Sequence, residues 1–235
     1  MNYTALFFFC ISTFAFAQTA DTIVRSNRIK VSYKHYTAAV KESTYTSYLY
    51  VDPEFSQFVE LREHKVFQVN ENTTMMQRFV YFFVNYNYQT NQLEENRILP
   101  DGVVLYATWQ PEFQWEITTE EKIIGNYRVR KAITDCIEMD PQDPYYSGKA
   151  IAWYSPDIPI PSGPSRYGNL PGLILKLEYE KNASYYLLDT IEPADGYEFL
   201  TFNTENEVEK EDVMYYAHKN IKSVKEIIKR SKNKK

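Results

Sequence analysis

The sequence predicts a mainly β or α+β domain: a curved antiparallel sheet or partly open barrel, with a long Pro/Gly-rich loop and a C-terminal amphipathic helix. Three observations predict it. Segments rich in β-branched and aromatic residues, many alternating with period two, fill the first two thirds of the chain, as a pleated, half-buried surface requires. Seven of the eleven prolines and four of the seven glycines fall within residues 141–172. Helical spacing of apolar residues appears only at the end.

The chain opens on an apolar run, residues 5–17, interrupted only by Ser12 and Thr13 and ending in Ala15-Phe16-Ala17. Small residues at these positions predict a signal peptide removed before Gln18. The run falls short of the about 20 residues a bilayer core requires. Its first residues carry no Lys or Arg, and Cys10 follows Phe9 where a lipoprotein motif needs a small residue. Residues 18–235 then form one domain, large enough to bury a core. Cys136 is the only cysteine left there, so no internal disulfide forms.

Strands are expected at residues 28–36, 44–51, 57–62, 65–69 and 78–88. Residues 78–85 are apolar on both faces, which marks a central strand. Pro100-Asp101-Gly102 is a turn signal. Further strands are expected at 103–109, 113–117, 127–134, 149–154 and 198–202, with a hairpin of 173–180 and 184–191. Thr204 and Glu207 have capping-box spacing. After them Val213, Ala217, Ile221, Val224 and Ile228 recur at helical intervals, predicting one helix over about 205–230. Residues 219–235 hold eight Lys/Arg against one acid, while the rest is acidic. An acidic body argues against nucleic acid as partner. The basic tail suits either a solvated helix end or peripheral contact with anionic headgroups.

No catalytic constellation stands out. There is no nucleophile elbow, zinc helix or phosphate loop. His35, His64 and His218 lie on different elements without ligand spacing, and neither a metal nor another cofactor is expected. Cys136 sits among Asp135, Glu138 and Asp140, acidic company that raises a thiol pKa. Asp140, Asp143 and Asp157 lack EF-hand spacing.

The Pro/Gly-rich stretch carries most of the information. Proline fixes φ and removes a donor, so it cannot be one regular strand. It is either a packed loop or a functional one. Trp115-Glu116-Ile117, Ile124-Gly125-Asn126-Tyr127, Lys131-Ala132, Ala152-Trp153-Tyr154, Ile158-Pro159-Ile160, Gly163-Pro164 and the run from Leu170-Pro171-Gly172 to Leu175 match, in order and spacing, the GLPGLI family. The region 115–180 therefore resembles that family of exported Bacteroidetes proteins of uncharacterised function, some proposed as accessories of outer-membrane uptake systems. Asn169 replaces the first glycine of the hexapeptide, and Asn tolerates left-handed backbone. Val129 stands where relatives often carry a cysteine.

Two functional readings follow. One is a non-enzymatic periplasmic or outer-membrane binding protein, or a secreted one, holding a lipid, apolar molecule or peptide on a concave face. Tyr145, Tyr146, Trp153, Tyr154 and Tyr167 would supply its aromatic contacts, and Leu170, Pro171, Gly172 and Leu173 its tight turn. The other is an interaction or scaffold accessory of an outer-membrane transport assembly, docking through the loop or an exposed strand edge. A hydrolase would need an assembled acid pair such as Asp157 with Glu178.

Overall fold

The computed structural model of the chain describes residues 28–37, 40–60, 66–70, 73–76, 81–99, 102–136, 148–181 and 183–214. The expected signal peptide, Tyr145, Tyr146, His64, His218, Asp140, Asp143 and the basic tail lie outside them.

Eleven strands form one antiparallel sheet built from two meanders. The first comprises β1 (Ile29–Thr37), β2 (Val40–Val51), β3 (Phe55–Glu60), β6 (Tyr81–Asn87), β7 (Gln92–Ile98) and β8 (Val104–Trp109). Between β3 and β6 a separate ribbon pairs β4 (Val66–Asn70) with β5 (Thr73–Met76). The second meander comprises β9 (Glu116–Ile124), β10 (Tyr127–Asp135), β11 (Lys149–Ser155), β12 (Leu173–Tyr179) and β13 (Tyr185–Pro193). The two join in the middle, where β1 pairs with β13. That leaves β8 and β9 at opposite edges.

This topology forces the sheet to curl. Eleven flat strands at about 4.8 Å spacing would hold their edges some 48 Å apart. Trp109 ends β8 and Glu116 begins β9, and a fully extended chain over that separation reaches only about 25 Å. The sheet therefore bends until its edges approach. No ladder joins β8 to β9 among the described residues, so the curve is not closed into a barrel.

Register assigns the faces. Tyr33 is opposite Ser47, Leu49 opposite Phe58, Phe58 opposite Val84 and Val84 opposite Glu95, so these side chains share the concave face. The convex face of the first meander is covered by residues 194–208, which run across it as a strap. Tyr197 stacks on Tyr50 with ring centroids 3.4 Å apart, and Phe202 packs on Phe83. Two side-chain amides hold the strap's backbone. Gln57 accepts from the Leu200 N–H at 2.9 Å and donates to its carbonyl at 3.0 Å. Asn96 does the same for Asn203, at 2.6 and 2.9 Å.

Three expectations are corrected. Residues 198–202 form no strand; they cross the sheet, and amide side chains replace a ladder. The strand expected at 113–117 runs instead over Glu116–Ile124, because Phe113 and Trp115 turn inward onto Tyr167. The C-terminal helix does not start at 205. The Tyr106 N–H donates to the Asn206 carbonyl and the Val208 N–H to the Tyr106 carbonyl. Residues 206–208 thus spend their backbone groups on the β8 edge, and helix α1 (Lys210–Met214) begins only beyond them. The part of the expected helix after 214 lies outside the described residues. The expected pairing of residues 173–180 with 184–191 is present, as β12 with β13.

Replacing Asn96 with Leu removes both bonds to Asn203 and leaves two strap backbone groups unpaired. The expected loss is about 1–3 kcal/mol of unfolding free energy, read from the urea midpoint. A wild-type midpoint would show that the strap adds nothing to stability.

Candidate functional site

The Pro/Gly-rich stretch leaves β11 at Ser155, crosses the concave side of the sheet and returns to start β12 at Leu173. It fills the curve. Every residue from Ser162 to Gly168 is buried. Ser162 meets Ser56 of β3 with 2.6 Å between hydroxyls, and the Ile174 N–H donates to the Ser162 carbonyl. Tyr167 packs among Phe113, Trp115 and Tyr179, with its hydroxyl 3.2 Å from the buried Cys136 Sγ. Trp115 Nε1 donates to the Gly168 carbonyl at 2.9 Å, tying the β8–β9 connection to this plug.

Close approach explains the glycines. A Cβ on Gly168 would lie 2.8 Å from both the Pro161 carbonyl and Tyr86 Cε1, and one on Gly172 only 2.1 Å from the Ser155 carbonyl. Neither backbone can back away from a packed sheet. Asn169 adopts φ +62°, the left-handed conformation its position in the hexapeptide requires. No cis peptide bond occurs among the described residues, so Leu170–Pro171 is trans.

One ion cluster anchors the plug. Glu95 of β7 is fully buried, and Arg166 at the plug's centre donates to it from Nε at 2.6 Å and Nη2 at 2.7 Å. Arg97 adds bonds of 3.2 and 3.1 Å to Oε1. Both guanidiniums lie 5.0 Å from the Phe82 ring centre. Burial by itself would push the Glu95 carboxyl up, but Arg166 and Arg97 outweigh it, and the carboxyl lies below the usual range. Farther along the same face, the Tyr186 hydroxyl donates to buried Glu60 at 2.8 Å, and His35 stacks between Tyr45 and Tyr186.

The residues expected to bind cargo are thus divided. Tyr154, Tyr167, Leu170, Gly172 and Leu173 are core, while Pro171 is exposed. Trp153, the strand neighbour of Tyr154, is also buried but faces the opposite, convex side. There the Lys122 ammonium sits 3.5 Å from its ring centre and Lys131 5.9 Å away. Asp157 and Glu178 are not brought together: Asp157 approaches Arg128 beyond the end of β11, and Glu178 pairs with Lys176 in β12. A surface depression of about 460 Å³, lined by Arg28, Asp52, Pro53, Glu54, Asp195 and Gly196, involves none of the expected residues. No group of metal-ligating side chains assembles among the described residues. Nor is any helix among them long and apolar enough to cross a membrane.

The exposed feature is an edge. Strand β8 is bridged by residues 206–208, whereas β9 pairs only with β10 among the described residues. No residue of β9 is buried. The two large apolar side chains exposed among the described residues, Ile117 at 48% and Ile123 at 67%, both belong to it. They share a face despite the register shift between them, because their β10 partners, Ala132 and Arg128, lie four positions apart. Sequence reading missed β9 beyond Ile117, since Glu120, Glu121 and Lys122 interrupt its apolar pattern.

Replacing Glu95 with Gln leaves two buried guanidiniums uncompensated, and the expected loss is about 3–5 kcal/mol. A carboxyl held low in the fold stabilises it above the unfolded glutamate pKa, about 4.3, and that contribution disappears as pH falls through the folded value. Wild-type stability should therefore fall with acidification below about pH 4.3 more steeply than that of Glu95→Gln. Parallel pH–stability curves would refute the latch.

Residues 141–176 match the model of a family described as a protein of unknown function (Porph_ging). No curated protein matches the chain. By fold it is similar to PNGF-II in two crystal forms. The P21 form gives a TM-score of 0.55 at 15% identity, covering 88% of this chain and 34% of that one. The C2 form gives 0.53 at 16%, covering 87% and 33%. A DUF1329 family protein from Desulfovibrio piger ATCC 29098 aligns with a TM-score of 0.30 at 9% identity, over 77% of this chain and 92% of that one. The chain thus spans about a third of the length of PNGF-II, and the likeness is one of fold.

Proposed function

We propose that this is an exported cell-envelope protein of the GLPGLI type that works as an interaction module, docking a protein partner along the open edge of β9. The observation that carries the reading is the outer edge of β9, open among the described residues, on a strand that concentrates their exposed large apolar side chains. An open edge offers backbone donors and acceptors, and its side chains select what adds to it. The plug favours docking over cargo in the concavity, because the curve is occupied by the chain's own residues. Export is supported by the apolar N-terminal run ending in Ala15-Phe16-Ala17. The GLPGLI assignment is supported by the motif order through 115–180.

Mass measurement of the protein from its own cells should find a chain beginning at Gln18; an intact Met1 would remove the export reading. For the edge, a photo-crosslinking side chain placed at Thr119 should trap protein adducts in living cells. One at Glu192, exposed on β13, should trap none. Equal yields at both positions would sink the docking reading.

A further inference from the structure

We infer that the partner added to β9 is a second copy of this chain, paired antiparallel about a two-fold axis through Glu120. This deepens the docking reading and rests on it.

Two observations select that occupant. The first is the placement of the isoleucines. Ile117 and Ile123 lie three residues either side of Glu120, on one face of the strand. In an antiparallel pair centred on Glu120, each Ile117 stands opposite the other copy's Ile123. Both exposed side chains of both copies are then covered in two identical cross-strand pairs. A register centred on either isoleucine covers only one kind and leaves the other exposed. Self-complementarity of this sort is what an isologous interface needs.

The second observation is charge on the opposite face. Lys122, Glu120 and Glu116 alternate with the isoleucines and face the convex side. Lys131 takes Glu120 at 2.8 Å and Lys176 takes Glu178. The Lys122 ammonium rests on the Trp153 ring, with no carboxylate in salt-bridge range among the described residues. Burial there and the neighbouring Lys176 and Lys131 push its pKa down, against the opposing pull of Glu178 and Glu120. In the Glu120-centred register Lys122 stands opposite Thr118 of the other copy. Its diagonal neighbours are that copy's Glu116 and Glu120. The second chain thus adds two carboxylates to a cation on which Glu178 and Glu120 of its own chain already act without forming a salt bridge.

The pairing runs as two short ladders rather than one. A register shift between Arg130 and Ala132 bulges the middle of β9, where the Thr118 hydroxyl donates to the Lys131 carbonyl. Residues 121–124 of each copy face 116–119 of the other, on either side of the axis. At the centre Glu120 faces its own copy, a like-charge pair that costs stability and that each chain's Lys131 offsets, while the flanking isoleucine pairs favour this partner.

Sedimentation of the full chain over a concentration series is the first experiment. A reversible monomer–dimer equilibrium is expected. The double variant Ile117→Lys, Ile123→Lys should weaken it at least tenfold, with an unchanged near-ultraviolet spectrum and melting midpoint, since both side chains are exposed in the monomer. Lys122→Glu should also weaken it, and adding Glu116→Lys should restore it. The register is read by oxidation of cysteine variants in a chain with Cys10→Ser, the remaining Cys136 being buried. Copies of Glu120→Cys face each other within disulfide reach and should form a covalent dimer. Copies of Thr118→Cys lie about 14 Å apart in this register and should not.

Equal crosslinking at both positions, or at neither, overturns the inference. So does a wild-type chain that stays monomeric throughout. If that monomer still yields Thr119 adducts with another protein in cells, the second copy is wrong and the docking reading stands. If it yields none, both fall.

Discussion

The buried contact of Glu95 with Arg166 and Arg97 is the interaction on which the rest of the molecule depends. A sheet curled this far leaves a hollow on its concave side. The chain fills it with a loop of its own, and a loop carries backbone groups and polar side chains that a dry interior penalises. Arg166 at the loop's centre reaches a carboxylate on β7, with a second guanidinium beside it and Phe82 within cation–π range of both. One bidentate ion pair fixes where the loop lies across the first meander. The glycines and Asn169 then let its backbone follow the sheet closely.

Plug and strap are counterparts. The plug occupies the concave side and is held by charge; the strap covers the convex side of the first meander and is held by amides. Gln57 on β3 and Asn96 on β7, with β6 between them, each offer a donor and an acceptor, as a peptide group would. With both faces of the first meander covered and β8 bridged, the open boundary among the described residues is β9. The fold thus concentrates its available surface into one strand.

Period-two patterning made most strands legible, including β1, β10 and the β12–β13 hairpin, and a run apolar on both faces marked β6. The single-loop character of the motif region was also legible, from its proline and glycine content, as was the left-handed backbone at Asn169. What escaped did so for physical reasons. Strand β7 reads as polar because Glu95 and Arg97 face inward, Glu95 to Arg166, 71 residues away in sequence, and Arg97 to Glu95, while Asn96 faces outward to the strap. Strand β9 reads as a charged connector because no second neighbour buries it among the described residues. The aromatic run 198–202 has strand composition, yet it lies across strands rather than beside one. The aromatic residues assigned to cargo were picked out by type and proximity to the loop, which do not tell a pocket wall from a core. Trp153 and Tyr154 part company only once the pleat is known.

The pairing of β1 with β13 has a temporal side. The first strand of the sheet finds its second neighbour only in the last, with Ile29 opposite Pro193. Until nearly the whole chain is available, the N-terminal meander has a bare edge at β1 and an empty hollow where the plug belongs. Contacts this distant in sequence close slowly. During that interval the half-built sheet is open to wrong partners. A chain with this order of assembly gains from being kept extended until its end is in hand, and then folding in one step around its own loop.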